Sequence, residues 1–194
     1  MKTLLVTLHF PPTVGGVETY YGKVAAHWPE PLKVILNREN ALISPFLPFF
    51  GWLKGFWTLK AQIQLGKPDW ILGGEILPTG IILYLLSFFH RCNYAIFLHG
   101  LDFSKSQKTS RKRFISKRIL KKARLVICAN KYTMREVQKA YPAISQIEVV
   151  NPGVDIDAIL PEATTTAKTT FDIVTVGRLV KRKGVDMTLQ AVAK

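Results

Sequence analysis

Apolar residues along this chain follow two alternating rhythms. Short, nearly unbroken runs at residues 4–8, 32–36, 69–73, 94–98, 125–129 and 147–150 predict strands buried on both faces of a sheet. Between them, apolar positions fall at helical spacing. Val17, Tyr20, Tyr21 and Val24 mark a first helix, and Glu18 sits in its first turn, where the helix dipole favours an acid. A second helix spans 51–65 and stops at Gly66-Lys67-Pro68. Pro78 opens a third, through residue 89. A basic amphipathic helix covers 105–124, with Ile115, Ile119, Leu120 and Ala123 on one side, and a further helix covers 131–141, ended by Pro142. Strands alternating with helices imply an α/β fold built on a doubly wound parallel sheet.

The pattern then breaks and restarts. Residues 158–170 have the composition of a linker, with Pro161 and the run Thr164-Thr165-Thr166. Residues 171–176 predict a strand, 177–184 a basic turn and 185–194 a helix. One strand and one helix cannot bury a core. The expected organisation is a first domain at 1–157, a linker at 158–170 and the start of a second domain at 171–194, its remainder missing.

Composition narrows the class. The chain has 194 residues, 48% of them hydrophobic, which argues against disorder. Its net charge of +14 lies outside the range of about 2–8 that suits a small soluble domain. An anionic partner is expected: a phosphorylated ligand, a membrane surface or a nucleic acid. No acid interrupts the stretch from Phe103 to Arg135. Cys92 and Cys128 are far apart, form no metal-like spacing, and are expected as reduced thiols in a cytosolic protein. No signal peptide is expected, since Met1-Lys2 leads directly into the first strand. The longest apolar run, residues 80–89, is short of the roughly 20 that a bilayer requires.

Open parallel sheets bind ligands beyond the carboxyl ends of their strands. Three polar features are expected at such ends. Gly15-Gly16 follows the first strand after Pro11-Pro12. It lacks the Gly-x-Gly-x-x-Gly dinucleotide fingerprint. Two roles are open to it: a tight turn using backbone angles closed to other residues, or free N–H groups facing an anion. His99, with Asp102, follows the fourth strand; it is either structural or a hydrogen-bonding group for a sugar hydroxyl or developing charge. Arg178 and Lys183 make either a solvated basic turn or a pair suited to a diphosphate held between two domains. Glu75, after the third strand, is a weaker candidate, expected in helix capping or in solvent. His9, His27 and His90 show no partner in the sequence and are taken as structural.

Five stretches in series carry a family resemblance: Phe10-Pro11-Pro12-x-x-Gly15-Gly16-Val17-Glu18, Lys67-Pro68-Asp69, His99-Gly100-x-Asp102, Asn151-Pro152-Gly153-Val154-Asp155 and Gly177-Arg178-Leu179-x-x-x-Lys183-Gly184. In order and spacing they resemble family 4 of the retaining glycosyltransferases, which use two facing Rossmann-like domains, the GT-B architecture. The resemblance implies that this chain is the N-terminal half of such a protein. It implies transfer of a sugar from a nucleotide-sugar, with retained configuration, no metal ion and no cofactor, the nucleotide-sugar being a co-substrate. It places Gly15 and Gly16 beside the donor phosphates and the acceptor, His99 on the transferred sugar, and Arg178 and Lys183 on the departing diphosphate. Asp102 holds a motif position of unsettled role. The family's Glu-x-x-x-x-x-x-x-Glu motif is absent from these residues, so the chain alone is expected to be inactive.

Many relatives act on lipid-linked acceptors at the cytoplasmic membrane face. The resemblance therefore implies a lipid-linked or saccharide acceptor and a peripheral, cytoplasmic location. Lys112, Arg113, Lys117, Arg118 and Lys121 are expected to meet an anionic leaflet, each contributing roughly 1 kcal/mol before screening. The aromatic stretch 46–57 supplies membrane anchors, an acceptor cleft or core filling. Two other classes compete: a non-catalytic nucleotide-sugar- or lipid-binding half that needs a partner chain, and a basic nucleic-acid-binding domain. The second is the weaker, because no nucleic-acid module is present and the aromatics are not interleaved with the basic run.

Overall fold

The computed structural model describes residues 1–44, 51–90, 92–154, 173–177 and 179–193. The chain divides into two compact units, Met1–Val154 and Asp155–Lys194. In the first, six strands alternate with helices: β1 (Thr3–Thr7), α1 (Gly16–Ala26), β2 (Lys33–Leu36), α2 (Leu53–Gly66), β3 (Trp70–Gly73), α3 (Thr79–Leu86), β4 (Asn93–Leu98), α4 (Leu101–Ser106), α5 (Ser110–Lys122), β5 (Leu125–Cys128), α6 (Lys131–Ala140) and β6 (Ile147–Val149). The strand order is β2-β1-β3-β4-β5-β6, with every pair parallel. The sheet is doubly wound and Rossmann-like, as the alternation predicts. Winding reverses between β1 and β3, and a crevice opens at such a reversal.

Strand β1 shows why the apolar runs are unbroken. Leu4 and Val6 join one core cluster with Ile71, Ile96 and Leu98 of the sheet, Leu59 of α2, Ile82 of α3 and Ile119 of α5. Leu5, between them, joins the opposite cluster with Leu72, Phe97 and the α1 residues Tyr20 and Tyr21. Both faces are covered, so neither can be polar. Each such side chain contributes about 1.5–3 kcal/mol when fully buried.

Several boundaries differ from the sequence-based expectation. The β1 ladder ends at Thr7 rather than residue 8, because the Leu8 N–H donates to the Glu75 carboxylate. Helix α3 ends at Leu86 rather than residue 89. Beyond it, the Phe88 and Phe89 N–H groups bond three residues back, and both rings are exposed. The basic segment forms two helices rather than one. Thr109 caps the second, its hydroxyl accepting from Lys112 N–H at 3.3 Å. Ile119, Leu120 and Ala123 are buried as expected, but Ile115 is exposed.

In the second unit, a one-turn 3-10 helix at Lys181–Lys183 precedes α7 (Val185–Val192). No residue of α7 is buried. Residues 173–176, expected as part of a strand, form none; a strand needs a ladder partner, and no described residue supplies one. The expected linker 158–170, residues 171–172, Arg178 and residues 45–50 of the aromatic stretch lie outside the described residues. No described helix is long and apolar enough to cross a membrane.

Candidate functional site

The carboxyl ends of β1, β3 and β4 meet around the sheet's reversal point. Glu75, two residues beyond β3, is only 6% exposed. Its Oε1 accepts from Thr7 Oγ1 at 2.7 Å and from Leu8 N–H at 3.0 Å, while Thr79 Oγ1 lies 3.1 Å from Oε2. The carboxylate thus ties the end of β1 to the start of α3. The expected solvent role is corrected: the group is buried because three donors converge on it. Burial pushes its pKa up, and the bonds from Thr7, Leu8 and Thr79 oppose that rise.

His99 follows β4 directly. Its N–H donates to Asp102 Oδ1 at 2.9 Å, which closes the turn into α4. Gly100, inside that turn, has φ of 88°, a left-handed angle that suits glycine. The imidazole packs edge-on against Tyr20 and Tyr21, with ring centroids 5.1 and 5.2 Å away. Its Nε2 lies 2.7 Å from the Tyr21 hydroxyl, which in turn donates to the Gly74 carbonyl. Burial, aided by His9 and opposed by Glu18, lowers the His99 pKa to about 4, so the ring is neutral at pH 7. Burial raises the Asp102 pKa against several backbone N–H bonds, and its Oδ2 has no hydrogen-bond partner among the described residues.

A cavity of about 400 Å³ brings His99, Asp102 and Glu75 together. His9, Val17, Lys105 and Lys112 also line it. His9 was expected to be structural, without a partner. Instead its Nδ1 lies 2.9 Å from Glu18 Oε1. Its position just past β1 was the available signal, and the partner nine residues on was the missing one.

Of the two roles open to the glycine pair, the turn with backbone angles closed to other residues is not the one adopted. Gly15 has φ of 175° and ψ of 164°, an extended backbone open to any residue. Crowding takes the place of backbone strain: a Cβ on Gly15 would lie 2.0 Å from the Glu18 carboxylate. Gly16 begins α1, and a Cβ there would meet nothing within 4 Å. The helix N-terminus is therefore open at this point. Arg178 lies outside the described residues, and Lys183 belongs to the second unit, where it ends the 3-10 turn before Gly184, whose φ is 65°.

The cations of α5 divide. Lys112 borders the cavity. Arg113 donates to the Gln107 carbonyl at 3.3 Å. Lys117, Arg118 and Lys121 line a surface groove with Tyr84, Phe88, Phe114 and Lys122. Arg118 stacks over Phe114 and Lys122 over Phe88, at 5.0 and 5.1 Å from the ring centroids. Both phenylalanine rings are about 60% exposed.

The sequence profile of the family described as Glycosyltransferase Family 4 matches residues 14–158. No curated protein matches significantly. HepE from Anabaena, solved with UDP, superposes with a TM-score of 0.58 at 18% identity, covering 81% of this chain and 45% of HepE. Sucrose-phosphate synthase from Thermosynechococcus elongatus gives a TM-score of 0.63 at 15% identity, covering 81% of this chain and 49% of the synthase. UDP-GlcNAc 2-epimerase from Neisseria meningitidis, bound to UDP-GlcNAc, gives 0.53 at 13% identity, with 77% and 45% covered. At these identities the likeness is one of fold. The chain spans less than half the length of each of these proteins.

Proposed function

The chain belongs to glycosyltransferase family 4, and from that premise we propose that it forms the acceptor-side domain of a retaining sugar transferase. The donor is a nucleotide-sugar and the acceptor a lipid-linked or other saccharide. The observation that carries this proposal is the cavity at the sheet's reversal point, where His99, Asp102 and Glu75 converge from β3 and β4. UDP and UDP-GlcNAc in the solved neighbours support a nucleotide-sugar as the class of donor.

In this reading, His99 contacts the transferred sugar as a neutral hydrogen-bonding ring. The open N-terminus of α1 at Gly16 faces donor phosphate, where N–H dipoles favour negative charge. Arg178 and Lys183 stabilise the leaving diphosphate, whose charge grows in the transition state. No metal ion is needed for that role, so chelator should leave turnover unchanged. Coverage of less than half of each neighbour leaves room for a second reading: a non-catalytic nucleotide-sugar- or lipid-binding half that needs a partner chain.

We place the protein peripherally on the cytoplasmic face of a membrane, through the cation-rich, aromatic groove between α3 and α5. Exposed Phe88 and Phe114 beside Lys117, Arg118 and Lys121 support this. The function is tested by titrating a panel of nucleotide-sugars and following nucleoside diphosphate release. Release should appear with one donor class in the polypeptide that contains this chain, and should fall by about 10²-fold in His99→Ala. No release, or no effect of His99→Ala, would sink the transferase proposal. Turnover by residues 1–194 alone would refute the second reading.

A further inference from the structure

The hydrogen bonds behind His99 determine which ring nitrogen carries the proton. Tyr21 has one hydroxyl proton and donates it to the Gly74 carbonyl, a group that can only accept. The same oxygen lies 2.7 Å from His99 Nε2. With its proton engaged elsewhere, that oxygen can bond Nε2 only by accepting. Nε2 therefore bears hydrogen. In a neutral ring Nδ1 is then an unprotonated acceptor. No described group hydrogen-bonds Nδ1, and the ring lines the cavity.

The relay is well fixed. Tyr21 is fully buried, so water has no access to replace either partner. Gly74 N–H donates to the Val6 carbonyl at 2.8 Å, which anchors the receiving end to β1. A Cβ on Gly74 would lie 2.5 Å from Thr7 Oγ1 and 3.1 Å from the Tyr21 hydroxyl, so glycine alone leaves the relay room. His9 from the β1–α1 loop, Glu18 and Tyr20 from α1, Glu75 after β3, Asp102 and Lys105 of α4, Lys112 of α5 and Cys128 of β5 are the other titratable groups around this assembly among the described residues.

We propose that Tyr21 is a positioning residue that holds His99 as its Nε2–H tautomer, so that Nδ1 accepts a hydrogen bond from a hydroxyl of the transferred sugar. That Nε2 bears hydrogen rests on the geometry; the sugar contact rests on the donor-site reading above. The ring then discriminates by demanding a hydroxyl donor from the substrate. A deoxy or fluoro sugar at that position leaves Nδ1 unpaired.

Long-range ¹H–¹⁵N correlation on the intact ¹⁵N-labelled chain tests the tautomer, with His99→Gln assigning the His99 signals. At pH 7, Nδ1 should resonate as an unprotonated nitrogen and Nε2 as a protonated one. The opposite tautomer, or an even mixture, overturns the proposal. Tyr21→Phe should bring Nδ1–H into the mixture while the amide spectrum stays folded; an unchanged tautomer in a folded Tyr21→Phe overturns the positioning role. If that variant fails to fold, the wild-type spectrum still decides the tautomer, and pairing with Tyr21 is read from the Nε2–H signal. In the polypeptide that contains this chain, with UDP-glucose as probe, Nδ1 should shift as it accepts a hydrogen bond, whereas UDP alone should leave it unmoved. Tyr21→Phe should weaken UDP-glucose relative to UDP by roughly fivefold. Equal shifts with both probes overturn the sugar contact. Failure of both to bind, with the tautomer intact, counts against the donor site instead.

Discussion

At the scale of single residues, burial and hydrogen bonding set the charge state of the site, and this leads to two predictions. The folded His99 pKa near 4 lies below its ordinary 6.5. Between those values the unfolded chain binds more protons, so this residue's contribution to stability is lost as pH falls from 6.5 to 4. The whole effect is about 3 kcal/mol. Glu75 and Asp102 work in the opposite sense: their folded pKa values are raised, so their contributions decline as pH rises just above the ordinary carboxylate range. Urea midpoints measured from pH 7 to 4 should therefore fall less steeply for His99→Gln than for the native chain. An unchanged slope would mean that the ring is not desolvated. The second prediction separates charge from hydrogen bonding at Glu75. Glu75→Gln keeps an oxygen for Leu8 N–H and Thr7, and removes a buried charge, so stability at pH 7 should be retained or rise. Glu75→Ala strands the Leu8 N–H and should cost about 1–3 kcal/mol in urea melts.

At the scale of elements, the turn from β4 into α4 aims the site. Gly100 at φ 88° lets the His99 N–H reach Asp102 Oδ1 within three residues. Gly100→Ala should cost about 1–2 kcal/mol in left-handed strain, with the new Cβ 3.1 Å from Thr133 Oγ1. It should also shift the His99 ring signals, while distant helices keep their amide spectrum. The four inner strands β1, β3, β4 and β5 were legible in the sequence because most of their residues are buried on both faces, which turns core burial into uninterrupted apolar runs, whereas the edge strands β2 and β6, with no fully buried residue, were read from alternation with helices. Helix α4 was not legible. It has six residues, and it starts from a single glycine turn after β4, an event with no periodic signature. Phe88 and Phe89 extended an apolar run that the helix did not follow, since surface aromatics and core aromatics look alike in a one-dimensional pattern. The site was legible in part. His99, Asp102 and Glu75 could be placed at strand ends by counting elements. Their partners could not, because Tyr21 and His99 stand 78 residues apart and Thr7 and Glu75 stand 68 apart. Such bonds are products of strand order, which alternation leaves open.

At the scale of the whole molecule, the net charge of +14 is unevenly spread, and its clustering on α5 predicts how the protein meets a surface. Lys117, Arg118 and Lys121 stand beside exposed Phe88 and Phe114, so two physically different attractions overlap in one groove. The cationic part acts through about 10 Å of solution at 0.1 M salt and fades as salt rises. The aromatic part depends on apolar area removed from water and is insensitive to salt. Vesicle sedimentation should therefore show two components. Anionic vesicles should bind the chain, and neutral ones should bind it weakly or not at all. Raising salt from about 0.05 to 0.5 M should remove most but not all of the binding. Exchanging Lys117, Arg118 and Lys121 for Gln should abolish the salt-sensitive component, whereas Phe88→Ser with Phe114→Ser should remove the residue that survives high salt. Because all these side chains are exposed, melting midpoints should move by no more than about 0.5 kcal/mol equivalent, which separates lost contact from lost fold. Equal sedimentation with neutral and anionic vesicles, or full binding by the triple Gln variant, would remove α5 as the membrane-facing element.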